Sequence, residues 1–434
     1  MTSALLTDRY ELTMVDAARQ AGTAERRSVF ELFARRLPGG RRYGIVAGTG
    51  RLLEAITQFR FGEPELTWLR DNSVVNEATL EWLANYRFQG DIWGYHEGEV
   101  YFPGSPILVV EGTFAEAVVL ETLALSVLNY DSAVATAAAR MTSAAGGRPL
   151  AEMGSRRASE HGAVAAARAA YIAGFDATSN LEAGRSWGIP TMGTAAHSFT
   201  LLHDSEEDAF RAQVAALGAS TTLLVDTYDV AAAVDLAVRV AGTKLGAVRI
   251  DSGDLPGQAA AVRKQLDGLG ATGTKITVTS DLDEYAIAAL QAAPVDSYGV
   301  GTSVVTGSGS PTAGMVYKLV ARVGDDGEWL SVAKKSSAKL SVGGRKSPMR
   351  TLVNGTATAE VLHIEHDGGR PDSSAGAGRA LLVPLMTKGE PDARFLGAAG
   401  TALAREHRAA AVAELPRDAF RLARGEPVIP TIYD

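Results

Sequence analysis

The chain has 434 residues, room for about two or three domains of ordinary size, and its 46% apolar and 21% charged content is that of a globular protein, which excludes a disordered chain, a collagen and a coiled coil. Its 42 basic and 50 acidic residues leave a net charge of −8, which argues against a general binder of nucleic acid or of anionic membranes. It has no cysteine, so disulfides, a thiolate nucleophile and cysteine-ligated zinc or iron–sulfur sites are excluded.

The first 130 residues read as mixed α and β. The opening segment carries Asp8 and Glu11 and no basic run, unlike a secretory signal, and a cytoplasmic location is expected. No apolar run reaches the roughly 18 residues of a membrane span. Apolar spacing predicts a helix over Tyr10–Ala21, capped by Gly22. Alternation predicts a strand over Ser28–Ala34, and Tyr43–Phe59 has helical spacing. Gly90–Tyr101 reads as a hairpin around Glu97-Gly98, Ile107–Val110 as a strand and Phe114–Tyr130 as a long buried helix.

From Leu150 to Thr302 the rhythm changes. Short strand-like runs end in polar clusters, and helix-like runs follow, among them His161–Ala173, Glu206–Leu217, Val230–Ala241, Pro256–Leu269 and Asp283–Ala292. Seven such units in a row predict parallel strands with helical crossovers. Polar chemistry after nearly every strand favours a barrel, with its site on the strand C-terminal face, over a doubly wound sheet that uses only a switch point. Further strands are predicted at Met315–Arg322 and Glu328–Ala333, and a flexible stretch at Asp367–Gly378. The run Lys334, Lys335, Lys339, Arg345, Lys346 and Arg350 reads as a basic loop, by default a solvated face and more pointedly an anion-binding loop.

The strand ends supply Asp226, Asp229, Asp251, Asp254, Arg157, Arg249, His197 and the glycine-rich turn Gly299–Thr302. Carboxylates with few nitrogen ligands suit Mg²⁺, arginine binds phosphate or carboxylate in bidentate fashion, and a glycine-rich turn admits a phosphate close to the backbone. Together they point to a phosphate-rich substrate handled with Mg²⁺. Each has a plainer role beside it: an aspartate after a strand is ordinarily a helix cap, as expected for Asp204 and Asp283. No P-loop, nucleophile elbow or His-Glu-x-x-His motif is present. A Schiff-base lyase would need a reactive lysine at a strand C-terminus, and Lys244 and Lys275 precede strands instead.

The chain resembles the nicotinate phosphoribosyltransferase family. The resemblance rests on Leu6–Met14, Phe33–Pro38, Glu121-Thr122-Leu123 with Asn129, Ser155-Arg156-Arg157-Ala158, Gly174–Asn180, Gly193–Phe199, Leu224–Asp229, Arg249–Asp254 and Tyr298–Thr302. It implies an irregular α/β barrel with an α/β sandwich made from N- and C-terminal segments, which we expect at 131–330 and at 1–130 with 331–434. It implies the joining of nicotinate to phosphoribosyl pyrophosphate, coupled to ATP hydrolysis through a phosphohistidine at His197, with Mg²⁺ and a homodimer. By position, His197, Asp251 and Arg249 are the implied catalytic residues. Tyr10, Arg157, Thr194, Arg249, Gly299, Gly301 and Thr302 are the implied substrate contacts, and Asp251 with Asp226 the implied metal carboxylates. A nicotinamide phosphoribosyltransferase on the same fold is the alternative. Arg9 departs from the family pattern, and the cysteine-rich zinc module of some members is absent.

Overall fold

The computed structural model describes residues 4–334, 342–365 and 378–434. The chain divides into two compact units, one made of Met1–Thr136 with Ser310–Asp434 and one of Ala137–Gly309.

The first unit is built on a seven-stranded antiparallel sheet, in the order Trp329–Ser331, Met315–Val323, Arg27–Ala34, Pro106–Thr113, Asp91–Tyr95, Leu382–Thr387 and Glu390–Pro391. N- and C-terminal segments thus share one sheet, as expected. Helix Arg9–Gln20 buries Leu12 and Val15 in its core, and Gly22 follows the helix at φ 71°. Tyr43–Phe59 holds a short strand, Gly44–Ile45, before its helix, Thr49–Gln58. The helical stretch Phe114–Ala145 is long and apolar enough, by length and composition, to cross a membrane. It packs into protein instead: Val127, Leu128 and Ala133 lie in the core, and Asp131 is buried against Arg51 at 2.6 Å.

Two expectations fail in this unit. The turn at Glu97-Gly98 forms, with Gly98 at φ 92°, but its flanking strands do not pair. Asp91–Tyr95 joins the large sheet, and Val100–Tyr101 pairs with Gly44–Ile45. A side chain at Gly98 would stand 2.2 Å from the Ala404 carbonyl, so a close approach adds to the demand for glycine. From Arg345 on, the basic run is no solvated loop either. Arg345–Val353 is a strand of a second, four-stranded sheet, and Arg345, Lys346 and Arg350 are buried. Lys346 pairs with Glu31 at 2.6 Å, Arg345 with Glu111 at 3.1 Å, and Arg350 with Glu99 at 2.7 Å and with Glu360. Glu99 also takes Arg379 at 2.8 Å and His407 at 2.7 Å. Burial alone would raise the Glu99 carboxyl; His407, Arg350 and Arg379 outweigh it and hold the acid below the usual carboxylate range. Lys335, Lys339 and nearly all of the Asp367–Gly378 stretch lie outside the described residues.

The second unit is a curled parallel sheet. Its order is Ala177–Thr178, Leu150–Glu152, Ser297–Val300, Lys275–Val278, Ala247–Ile250 and Thr222–Leu224. The last strand therefore pairs with the first, which is barrel logic and not that of a doubly wound sheet. A parallel bridge from Thr178 to Thr191 adds a seventh position, and no described strand pairing joins it to Thr222–Leu224. The ring is open there. At that edge Gln213, on helix Glu206–Leu217, donates its amide to the Thr222 carbonyl at 2.9 Å.

Helices Glu206–Leu217 and Val230–Ala241 keep their predicted bounds because their caps are explicit. Ser205 and Asp229 accept N-terminal amides, and Gly218 and Gly242 close the C-termini at positive φ. Asp283 caps its helix as expected, whereas Ser205 takes the role expected of Asp204. Ala151, Ala177, Thr277 and Ser297, from four neighbouring strands, are among the residues lining a cavity of about 400 Å³.

Candidate active site

A polar cavity of about 240 Å³ opens where the strands of the second unit end. Met153, Arg156 and Arg157 come from the end of Leu150–Glu152, Arg249 and Asp251 from Ala247–Ile250. Thr279, Ser280 and Asp281 follow Lys275–Val278, and Gly299, Gly301 and Thr302 belong to the end of Ser297–Val300. Sequence spacing alone had collected most of these residues. The parallel register brings them together: Gly299 lies beside Ala151, and Thr277 beside both Arg249 and Ser297.

Arg249 is the hub. Its Nε donates to Thr279 Oγ1 at 3.1 Å, its Nη1 to the Ala195 carbonyl at 3.2 Å, and its Nη2 lies 3.5 Å from Asp251 Oδ1. Thr279 in turn donates to the same Asp251 oxygen. Asp251 Oδ2 has no hydrogen-bond partner among the described residues. The guanidinium is thus aimed and oriented before any substrate arrives, the arrangement that lowers the cost of binding developing charge.

Asp226 sits behind this group with a buried side chain. Its Oδ2 accepts from the Asp251 backbone N–H at 3.0 Å and from Ser252 Oγ at 2.7 Å, while its Oδ1 faces His197 Nε2 at 3.2 Å. His197 opens helix His197–Leu202 with its ring partly in solvent. Thr194 is half-buried one residue before Ala195. Asp229, a strand-end candidate, spends its carboxylate on capping Val230–Ala241.

Gly299 has no room for a side chain: a Cβ there would stand 2.6 Å from Thr279 Cγ2 and 2.7 Å from Met153 Sδ. Thr302 opens the short helix Thr302–Val305 after Gly301. Arg156 and Arg157 are exposed, with no acidic partner among the described residues. Tyr10 belongs to the first unit, exposed in the first turn of its helix.

Met153, Arg156, Thr279, Ser280 and Asp281 were not selected from sequence, although their polar runs were visible. Ser280 adopts φ 114°, a conformation non-glycine residues avoid at a cost of about 1–3 kcal/mol, and such strain collects at functional loops. Sequence offered no signal for it. Among the described residues no group of three or more histidines and carboxylates is placed to hold a metal.

Comparison with known proteins gives a consistent result. The N-terminal domain of nicotinate phosphoribosyltransferase matches residues 5–129, and the nicotinate phosphoribosyltransferase family matches residues 149–367. The chain is similar to a nicotinate phosphoribosyltransferase of Mycobacterium tuberculosis H37Rv, at 57% identity over 98% of this chain and 94% of that protein. It is 38% identical to the Bacillus subtilis nicotinate phosphoribosyltransferase over 80% of this chain and 73% of that one. Among solved structures, human nicotinic acid phosphoribosyltransferase superposes with a TM-score of 0.82 at 26% identity, over 99% of this chain and 97% of that one.

Proposed function

The chain belongs to the nicotinate phosphoribosyltransferase family, and from that premise we propose that its transfer step is coupled to ATP hydrolysis through phosphorylation of His197, in a Mg²⁺-assisted site on a homodimer. The family reaction joins nicotinate to phosphoribosyl pyrophosphate. The ring nitrogen of nicotinate bonds to C1 of the ribose as the C1–O bond to pyrophosphate breaks, and the electron pair of that bond leaves with pyrophosphate. No protein nucleophile is needed, so the chain's work is positioning and charge.

In this reading Arg249 and Arg157 neutralise the nicotinate carboxylate and the departing pyrophosphate. Gly299, Gly301 and Thr302 hold the 5′-phosphate, and Asp251 faces the ribose hydroxyls. Thr194 contacts nicotinate from beside Ala195. Mg²⁺, when bound, offsets the charge that builds on pyrophosphate. The free Oδ2 of Asp251 would hold the ion. Asp226 fits less well, because both its oxygens already accept hydrogen bonds.

One observation carries the coupling: the buried Asp226 carboxylate touches both His197 and the backbone of Asp251. With its proton on Nε2, donated to Asp226, His197 keeps a lone pair on Nδ1. That nitrogen attacks the γ-phosphorus of ATP, the P–O bond to ADP breaks, and ADP leaves. The added charge on the ring is felt by Asp226, and through it by the loop that presents Asp251. The test is nicotinate mononucleotide formation with and without ATP, alongside γ-phosphate labelling of the protein. His197→Ala is expected to abolish labelling and ATP stimulation while keeping slow transfer. ATP hydrolysis that stays in step with product in this variant overturns the coupling.

A further inference from the structure

Arg156 and Arg157 carry the unpaired positive charge of the cavity, yet they stand on a three-residue 3₁₀ turn, Ser155–Arg157. A turn this short has little rigidity of its own. Its stiffness comes from a closed ring of hydrogen bonds. The Gly154 N–H, at the start of the turn, donates to Glu152. The other oxygen of Glu152 accepts from Thr178 Oγ1 at 2.6 Å. Thr178 Oγ1 accepts from the Asn180 backbone N–H at 3.0 Å, and the Asn180 side-chain amide returns to Ser155 Oγ at 3.0 Å. The Ser179 N–H also reaches the Glu152 carbonyl at 2.8 Å. The ends of two neighbouring strands and the arginine turn are thereby tied at one carboxyl group.

Glu152 is 0% exposed. Burial pushes its carboxyl above the usual range, against the opposing pull of Thr178 and Gly154. An acid buried this deeply is costly unless its hydrogen bonds are completed. Both oxygens here are spent, one on the start of the arginine turn and one on the end of the neighbouring strand. Gly154 has no room for a side chain: a Cβ there would meet Val305 Cγ1 at 2.2 Å and the Gly301 carbonyl at 2.9 Å.

We propose that Glu152, Thr178 and Asn180 are positioning residues that fix the Ser155–Arg157 turn so that its two arginines face the anionic groups of the substrates. The proposal rests on the reading above in which this arginine turn binds substrate anions. None of the three residues needs to touch substrate.

Thr178→Val removes the bridging hydroxyl at nearly constant volume. It is expected to raise KM for phosphoribosyl pyrophosphate or for nicotinate, measured separately, about threefold to tenfold, the worth of one hydrogen bond, with kcat held within about twofold. Thr178→Ser is expected to restore KM. Ser155→Ala breaks the ring at its half-buried end, and is expected to move KM in the same direction. A merely structural ring would lower Tm and leave KM alone. Arg156→Ala and Arg157→Ala are measured in parallel. If they raise KM while Thr178→Val and Ser155→Ala do not, the positioning role is overturned and the arginine reading stands. If neither arginine variant changes KM, both fall.

Discussion

The two units use the same charged residues in opposite ways. In the sandwich unit, Arg345, Lys346 and Arg350 are buried, and each meets an acid from a distant part of the chain. In the barrel unit, Arg156 and Arg157 stand in the open without an acidic partner among the described residues. A cation neutralised internally holds strands together, and one left unneutralised has binding energy to give a ligand. The difference separates the residues that make the fold from those that make the site.

The largest effect should come from breaking the first kind. Arg350→Met leaves Glu99 and Glu360 facing each other in the interior, and losing one partner of a buried ionic group costs about 3–5 kcal/mol. Denaturant unfolding should show that loss, whereas Arg157→Ala should lower activity at unchanged stability. If Arg157→Ala unfolds as easily as Arg350→Met, the division between the units is wrong. Next in size is Arg249→Ala. Removing one preorganised donor should reduce kcat/KM about 100-fold with little change in Tm. A decrease below about threefold would remove Arg249 from the chemistry.

The smallest expected effect concerns Glu11, buried in the first unit. Burial pushes its carboxyl up to about 7, against hydrogen bonds from Thr122 and Thr7. A raised carboxyl binds its proton more tightly in the folded chain. Its stabilising share is present below the unfolded value near 4.5 and is lost as pH rises through about 7. Glu11→Gln should therefore narrow the difference in Tm between about pH 5 and pH 8. An unchanged difference would show that Glu11 does not titrate in this range.

Much of the barrel was legible in sequence because its signals are local. A cap such as Asp229, a closing glycine such as Gly242 and a polar run such as Arg249–Asp254 each sit within a few residues of the element they define. The strand-end pattern supplied Arg157, Arg249, Asp251 and Gly299–Thr302, the family motifs added Tyr10 and Thr194, and the parallel register explains why the strand-end residues converge. The two largest failures were non-local. The charge run at 334–350 could not reveal burial, since the acids that neutralise Arg345, Lys346 and Arg350 include Glu31, Glu99 and Glu111, more than 200 residues earlier. Glu97-Gly98 announced its turn correctly, but strand partners are chosen by the sheet and not by the turn. Ser280 was invisible because serine carries no sign of the φ it adopts.

The opening in the barrel has a consequence for the protein in a crowded solution. A strand without a neighbour offers its free carbonyl and amide groups to any other extended chain, and edges of that kind seed aggregation. Thr222–Leu224 is such an edge. The amide of Gln213 donates to the Thr222 carbonyl and to the Thr221 hydroxyl, so a helix side chain takes a place a foreign strand would claim. The ring stays open there with part of its edge already occupied from within the chain.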